Sequence, residues 1–182
     1  MRDDLMGLML CITGRSAVGK STISQKLADE TGLPWFGFGS HQRELLGKNP
    51  GDISIVRQRY LELWPHHLAR IRLDVSEKGM ILEGVYHTSF LDGLVRSFLE
   101  HDVRLIALRA SKSDRLLFYN SRNDRVEEER IKSLKDLDEV KKEIGLIGVL
   151  RLADRVYTNV YGDMESCLGN IMRDISDMNG NK

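Results

Sequence analysis

The stretch Gly14-Arg15-Ser16-Ala17-Val18-Gly19-Lys20-Ser21, directly after the apolar run Leu8 to Thr13, constrains the fold more than any other part of the chain. A continuous apolar run reads as a central strand covered on both faces. The two glycines bracket four residues and let the backbone curl, so that successive N–H groups converge on phosphate oxygens. Lys20 adds a mobile cation for the β and γ phosphates, and Ser21 offers a hydroxyl to Mg²⁺. After the turn, Ile23, Leu27 and Ala28 have helical spacing. That helix, Lys20 to Asp29, points unpaired N–H groups and its positive dipole end at the same anion. The eight positions match G-x-x-x-x-G-K-[ST] without a mismatch, and the strand before and helix after supply the required context. A chance glycine-rich turn with a stray lysine is the competing reading, and the length of the match in its context disfavours it. Gly14, Arg15, Ser16, Ala17, Val18, Gly19, Lys20, Ser21 and Thr22 are therefore assigned to a polyphosphate, with Ser21 as the metal ligand. Lys20 is expected to face solvent in the empty loop.

The remaining chain alternates strand and helix. Trp35 to Phe38 reads as a second strand, followed by a polar helix, His41 to Leu46, and a turn at Asn49-Pro50-Gly51-Asp52. Ile53 to Glu77 reads as a long helical stretch, kinked or broken before Pro65. Met80 to Val85 is a strand, Phe90 to Leu99 a helix, Val103 to Leu108 a strand and Lys112 to Ser121 a helix. A highly charged segment, Arg122 to Glu143, precedes a fifth strand at Val156 to Thr158 and a closing helix, Met164 to Ile175. Strands alternating with helices imply a parallel sheet with right-handed crossovers. With 182 residues and no long linker, one α/β domain is expected over 1–182.

Charge and cysteine content narrow the setting. The chain has 27 basic and 27 acidic residues, so no global field draws it to nucleic acid or to a membrane. The N-terminal apolar run is too short for a membrane span and lacks a basic leader. Cys11 and Cys167 lie inside apolar-patterned elements, and buried free thiols fit a reducing cytoplasm.

No Asn-Lys-x-Asp base-recognition motif of a GTPase occurs, nor the apolar strand ending in Asp-Glu of motor-type ATPases. Strand three instead ends Met80-Ile81-Leu82-Glu83-Gly84. With the glycine-rich loop, Gly39-Ser40-His41-Gln42-Arg43 after strand two, an arginine-bearing segment after strand four and Ala153-Asp154-Arg155-Val156-Tyr157-Thr158-Asn159, the chain resembles the nucleoside monophosphate kinase superfamily over nearly its full length. Cytidylate kinases, archaeal adenylate-kinase-related proteins and dephospho-CoA kinases are closest in layout. The resemblance implies a three-layer P-loop kinase fold with a five-stranded parallel sheet in the order 2-3-1-4-5. It also implies a helical acceptor insert at about 40–79 and a short lid at about 122–143.

The resemblance further implies roles. Ser40 and Arg43 would hold an acceptor phosphate, Arg43 through two parallel donors that a lysine lacks. Glu83 and Gly84 would meet the acceptor or the Mg²⁺ shell at the carboxyl end of a strand, where such sheets place ligands. Asn159 would lie near the adenine. Arg115 and Arg122 are seven residues apart and share a helix face with Tyr119. Arg115 is assigned to the nucleotide, and Arg122 and Arg125 are assigned, with Lys20 and Glu83, to catalysis. Where the superfamily commonly has an arginine after the acid-glycine pair, this chain has Tyr86-His87. Adjacent His66 and His67 point in different directions on a helix and are expected at the surface or in a groove rather than on a metal. Trp35, Phe36, Phe38, Tyr60 and Trp64 are either core or base-stacking residues.

The expected activity is transfer of the γ-phosphoryl of ATP, with Mg²⁺, to a small nucleotide-type acceptor, most directly a nucleoside monophosphate. The alternatives are a dephospho-CoA kinase-like enzyme, in which a ribose hydroxyl attacks, and a P-loop ATPase or nucleotide-binding module acting through a protein or RNA partner. A sugar or shikimate kinase shares the loop but has no need of Arg43 for a phosphate. A monomer or homodimer is expected.

Overall fold

The structure, a computed structural model, describes residues 7–47, 59–121 and 134–180. Its five strands are β1 (Leu8–Gly14), β2 (Trp35–Gly37), β3 (Gly79–Glu83), β4 (Asp102–Arg109) and β5 (Arg155–Thr158). They form one all-parallel sheet in the order β2-β3-β1-β4-β5. The register runs Ile12 beside Glu83 on one side and Ile106 on the other. The helices are α1 (Lys20–Thr31), α2 (Phe38–Leu46), α3 (Trp64–Asp74), α4 (Thr88–Ser97), α5 (Lys112–Asn120), α6 (Leu134–Ile144), α7 (Leu146–Arg151) and α8 (Met164–Gly180).

Every residue of β1 is buried, as its unbroken apolar run requires of a strand covered on both faces. Because side chains alternate along a strand, Leu8, Leu10 and Ile12 face one layer and Met9 and Cys11 the other. The first layer packs on Ile23 and Leu27 of α1 and on Leu168, Ile171 and Ile175 of α8. The second packs on Ile71 of α3, Phe90 and Leu94 of α4, and Val149 of α7. Helices on both faces of a central sheet give three layers. Burial pushes the Cys11 thiol up to about 12 and Cys167 to about 11, so both stay unreactive free thiols. Among the described residues, no helix is long and apolar enough to cross a membrane.

Three local features depart from the sequence reading or complete it. Helix α2 starts at Phe38 rather than His41, its first turn fastened where Ser40 Oγ donates to Gly37 O at 2.8 Å. Pro65 stands in the first turn of α3, where a missing N–H costs nothing, so the break expected there is a helix start. The Asn49–Asp52 turn and the first part of the Ile53–Glu77 stretch lie outside the described residues. Helix α7 was not foreseen: Gly145, at φ 131°, ends α6 and restarts the chain. A Cβ there would sit 2.9 Å from His87 Cδ2 and 3.2 Å from Tyr86 O. Glycine thus lets the α6–α7 corner press against the loop after β3.

The aromatic residues resolve as core. Tyr60 stacks on Phe90 at 4.8 Å, Trp64 stacks on Phe90 at 4.6 Å, and Phe38 and Phe36 meet edge to face at 5.1 Å. The Trp64 indole lies so close over Gly93 of α4 that a Cβ would be 2.4 Å away. His67 corrects the surface expectation: it is fully buried among these rings. Its Nδ1 lies 2.8 Å from Nδ1 of His41 on α2, while His66 stays exposed. Burial and the neighbouring His41 and His66 lower His67 to about 4. A neutral imidazole pair, one nitrogen donating and one accepting, joins α2 to α3.

Candidate functional site

Parallel pairing puts the carboxyl ends of all five strands on one edge of the sheet, and the loop after β1 leaves from that edge. Gly14 takes φ 145° and Gly19 φ 79°. A Cβ on Gly14 would lie 2.4 Å from Leu108 O, and one on Gly19 2.3 Å from Asn159 Nδ2. At Gly14 the obstacle is backbone, and at Gly19 it is the Asn159 side chain together with a left-handed φ that favours glycine. Between them Ala17 adopts φ 55°, a left-handed conformation that costs an L-residue roughly 1–2 kcal/mol. Such a conformation persists when the surroundings over-determine it. Helix α1 then begins behind Gly19 with no side-chain cap and no acid in its first turn, leaving its N–H groups for an anion.

The loop is held from outside as well. Lys20 Nζ donates to Arg15 O at 2.7 Å, Ser16 N donates to Asp138 Oδ1 at 3.1 Å, and Arg115 Nε donates to Ser16 O at 2.9 Å. Arg115 also donates to Asp138 Oδ2 at 2.7 Å, and Arg15 approaches the same oxygen at 4.0 Å. Ser16, Arg115 and Asp138 are all buried. Breaking a buried ion pair of this kind by removing one partner costs about 3–5 kcal/mol. Lys20 is only 5% exposed, which corrects the expectation that it faces solvent: it folds back over the loop. Ser21 and Thr22 are exposed.

Beyond the end of β5, Asn159 is fully buried and donates through Nδ2 to Val18 O at 3.0 Å. Its Oδ1 is buried without a partner among the described residues. Phe118 and Tyr161 meet edge to face at 5.1 Å close to Gly19. The Tyr161 N–H donates to Asp114 Oδ1 at 3.2 Å. The Ser111 hydroxyl and that N–H lower the Asp114 carboxyl below its ordinary range.

Across the loop lies the end of β3. Gly84 N donates to Ile12 O at 2.9 Å and Thr13 Oγ1 to Val85 O at 2.7 Å, fastening the segment to β1. Tyr60 bridges its other side, donating to Gly84 O at 3.1 Å and accepting from Tyr86 N at 3.2 Å. Glu83 and Gly84 are thereby fixed at the sheet edge. Lys141 of α6 reaches the same place, its Nζ 4.6 Å from the Tyr86 ring centroid, with Lys20 Nζ at 5.8 Å. Burial and the Lys20 ammonium push Lys141 well below the usual lysine range, against the opposing pull of Glu83 and Asp138. The Lys20 and Lys141 side chains thus converge beside Tyr86 and Glu83 at the mouth of the glycine-rich loop.

Ser40 and Arg43 lie on α2. Ser40 spends its hydroxyl on Gly37, whereas Arg43 is exposed and makes no ion pair among the described residues. Arg122 and Arg125 fall outside the described residues. Asp138, Lys141, Phe118 and Tyr161 were not singled out from sequence, and Tyr86 was noted there only as a departure from the superfamily pattern. The first two had a signal: they follow Leu134 by four and seven residues, on the same helix face as Leu137 and Ile144.

By sequence, the chain matches no family model and no curated protein. By structure it is similar to a gluconokinase from Sinorhizobium meliloti 1021 at TM-score 0.64 and 14% identity, over 97% of this chain and 95% of that one. It is also similar to a shikimate kinase from Bacteroides thetaiotaomicron at TM-score 0.66 and 12% identity, over 92% and 98%. A shikimate kinase from Aquifex aeolicus matches at 0.57 and 12%, over 93% and 97%. The fold is that of P-loop kinases. At these identities the likeness fixes the sheet order and layers; it leaves the acceptor to be argued from side chains.

Proposed function

We propose that the chain is an ATP-dependent kinase that passes a phosphoryl group to a small anionic acceptor, first of all a nucleoside monophosphate. The observation that carries this reading is the convergence of Lys20, Lys141 and Glu83 at the loop, with the exposed guanidinium of Arg43, which makes no ion pair among the described residues, on the neighbouring helix. The residues suit ATP: a loop that tolerates no Cβ at Gly14 or Gly19, uncapped helix N–H groups, and an orphaned amide oxygen on Asn159 beside the ring pair Phe118–Tyr161. A hydroxyl with a carboxylate across the loop, Ser21 and Glu83, is the hard oxygen donor set that Mg²⁺ prefers.

ATP supplies the phosphoryl group, and Mg²⁺ neutralises charge on its oxygens. The protein's share is positioning and charge. Loop and α1 N–H groups hold the phosphates, and Lys20 exchanges its bond to Arg15 O for a phosphate oxygen. Lys141 meets charge that spreads during transfer, the environment in which fixed cations act most strongly. Arg122 and Arg125 are proposed on sequence alone to add to it. Arg43 grips the acceptor phosphate, whose oxygen attacks without a protein nucleophile.

One observation favours a second reading. The Glu83 side chain makes no hydrogen bond among the described residues, so its carboxylate is available to take a proton from a hydroxyl acceptor, as a sugar, hydroxy acid or dephospho-CoA would need. Tyr86-His87, where the superfamily has an arginine, points the same way. A panel of nucleoside monophosphates, deoxy forms, dephospho-CoA, gluconate and shikimate with ATP–Mg²⁺, product read by mass, separates the acceptors. ADP release that ignores every acceptor would replace the kinase reading with an ATPase.

A further inference from the structure

Three consecutive polar backbone atoms of the loop, Arg15 O, Ser16 N and Ser16 O, are each taken by a side chain from a different helix: Lys20 of α1, Asp138 of α6 and Arg115 of α5. The last two side chains are bonded to each other. Ser16, Asp138 and Arg115 therefore close a ring of three hydrogen bonds, with one carboxylate oxygen for the N–H and the other for the guanidinium. The ring grips the residue immediately before Ala17, the one non-glycine residue with positive φ among those described. The orientation of the N–H groups that follow depends on that conformation, because an anion-binding nest is made by alternation of right- and left-handed residues.

We propose that Asp138 is a positioning residue of the phosphate site: from α6 its carboxylate holds the Ser16 backbone and the Arg115 guanidinium in one closed ring, and this fixes the loop in its anion-binding shape. Asp138 touches neither nucleotide nor acceptor in this role. It acts through Ser16 and Ala17, and the loop has its working shape only while α6 is seated on it. The sequence separations, 122 and 99 residues from Ser16 to Asp138 and Arg115, make the loop's geometry a tertiary property. The effect on turnover rests on the phosphotransfer reading above; the ring itself does not.

The test replaces Asp138→Asn, which keeps size but turns one oxygen into a donor that cannot accept from Arg115. Amide exchange at Ser16, followed in the nucleotide-free protein, should quicken by on the order of tenfold or more as the ring opens. Acceptor-dependent kcat should fall on the order of 10–10²-fold, the cost of small misplacements of reacting groups. The affinity for ATP by direct titration should fall as well, because the loop N–H groups no longer hold their anion-binding alternation. Arg115→Lys, which keeps the charge but loses the fork, should raise Ser16 exchange likewise and serves if the first variant does not fold. The two changes together should cost little more than either alone, because each opens the same ring. Glu139→Gln, on the exposed side of α6 with Lys142, should leave exchange and turnover alone. Unchanged Ser16 exchange in Asp138→Asn and Arg115→Lys would overturn the proposal, as would strictly additive losses in the double variant. If the wild-type protein moves no phosphoryl group, the exchange arm still decides whether the ring exists, and only the kinase reading falls.

Discussion

The glycine-rich loop after β1 and helix α2 leave the same edge of the sheet, and they are built in opposite ways. In the loop, Arg15 O, Ser16 N and Ser16 O are each engaged by a side chain, two glycines sit where no Cβ fits, and Lys20 is folded in at 5% exposure. On α2, Arg43 stands exposed, and the helix is joined to α3 by the His41–His67 pair rather than by charge. The loop is a finished cradle, its backbone atoms already engaged by side chains. Helix α2 offers one exposed guanidinium that makes no ion pair among the described residues. The difference teaches where chemistry and where selectivity are to be sought.

The largest effect should come from the finished side. Lys20→Ala removes the cation that follows the phosphates, and acceptor-dependent turnover should drop on the order of 10³ or more, with the circular dichroism spectrum kept. Turnover within a few-fold of wild type would remove the phosphotransfer reading.

Lys141→Met separates charge for function from charge for folding. Because burial and Lys20 lower Lys141 in the folded protein, the unfolded chain binds its proton more readily below the ordinary lysine range. The ammonium then opposes folding at neutral pH, and stability gained through this group rises with pH towards the alkaline side. The variant should lose kcat on the order of 10², while the Tm of the empty protein rises on the order of 2–4 °C. A lowered Tm would mean that Lys141 is a structural contact.

Arg43→Lys probes the bare side. It should raise the acceptor KM on the order of tenfold with the ATP KM unmoved, since a fork is exchanged for a point charge on one substrate only. The reverse pattern would place Arg43 with the nucleotide.

The smallest effect concerns α2's attachment. His67, lowered to about 4, takes up a proton on unfolding at mildly acid pH, so stability is lost as pH falls from the ordinary histidine range of about 6.5 towards 4. His67→Phe should flatten that part of the Tm–pH curve; an unchanged slope would show that other groups set it.

How much was legible follows the same divide. The β1–loop–α1 unit was readable because its requirements lie in contiguous residues: an apolar run, glycines at fixed spacing, a lysine and a hydroxyl. The sheet order was implied by the family resemblance, and it holds. Lys20 was misjudged, since its fold-back depends on a carbonyl that only the curled loop presents. Asp138 and Lys141 looked like part of a charge run, although they share a face with Leu134 and Ile144. His67 looked like a surface residue because neighbours on a helix differ in exposure, and which of the two turns inward depends on Phe38 and Phe90.

The packing of Trp64 over Gly93 has an optical consequence. The chain has two tryptophans, Trp35 on β2 and Trp64 on α3, and both belong to the half of the molecule next to α2. The indole pressed on α4 within a stack of rings has an emission sensitive to any shift of α3, whereas no indole lies beside Ser16, Lys20 or Asn159. Intrinsic fluorescence is thus a built-in gauge of one side of the molecule: a shift of α3 changes its colour, and a change confined to the loop after β1 leaves it unaltered.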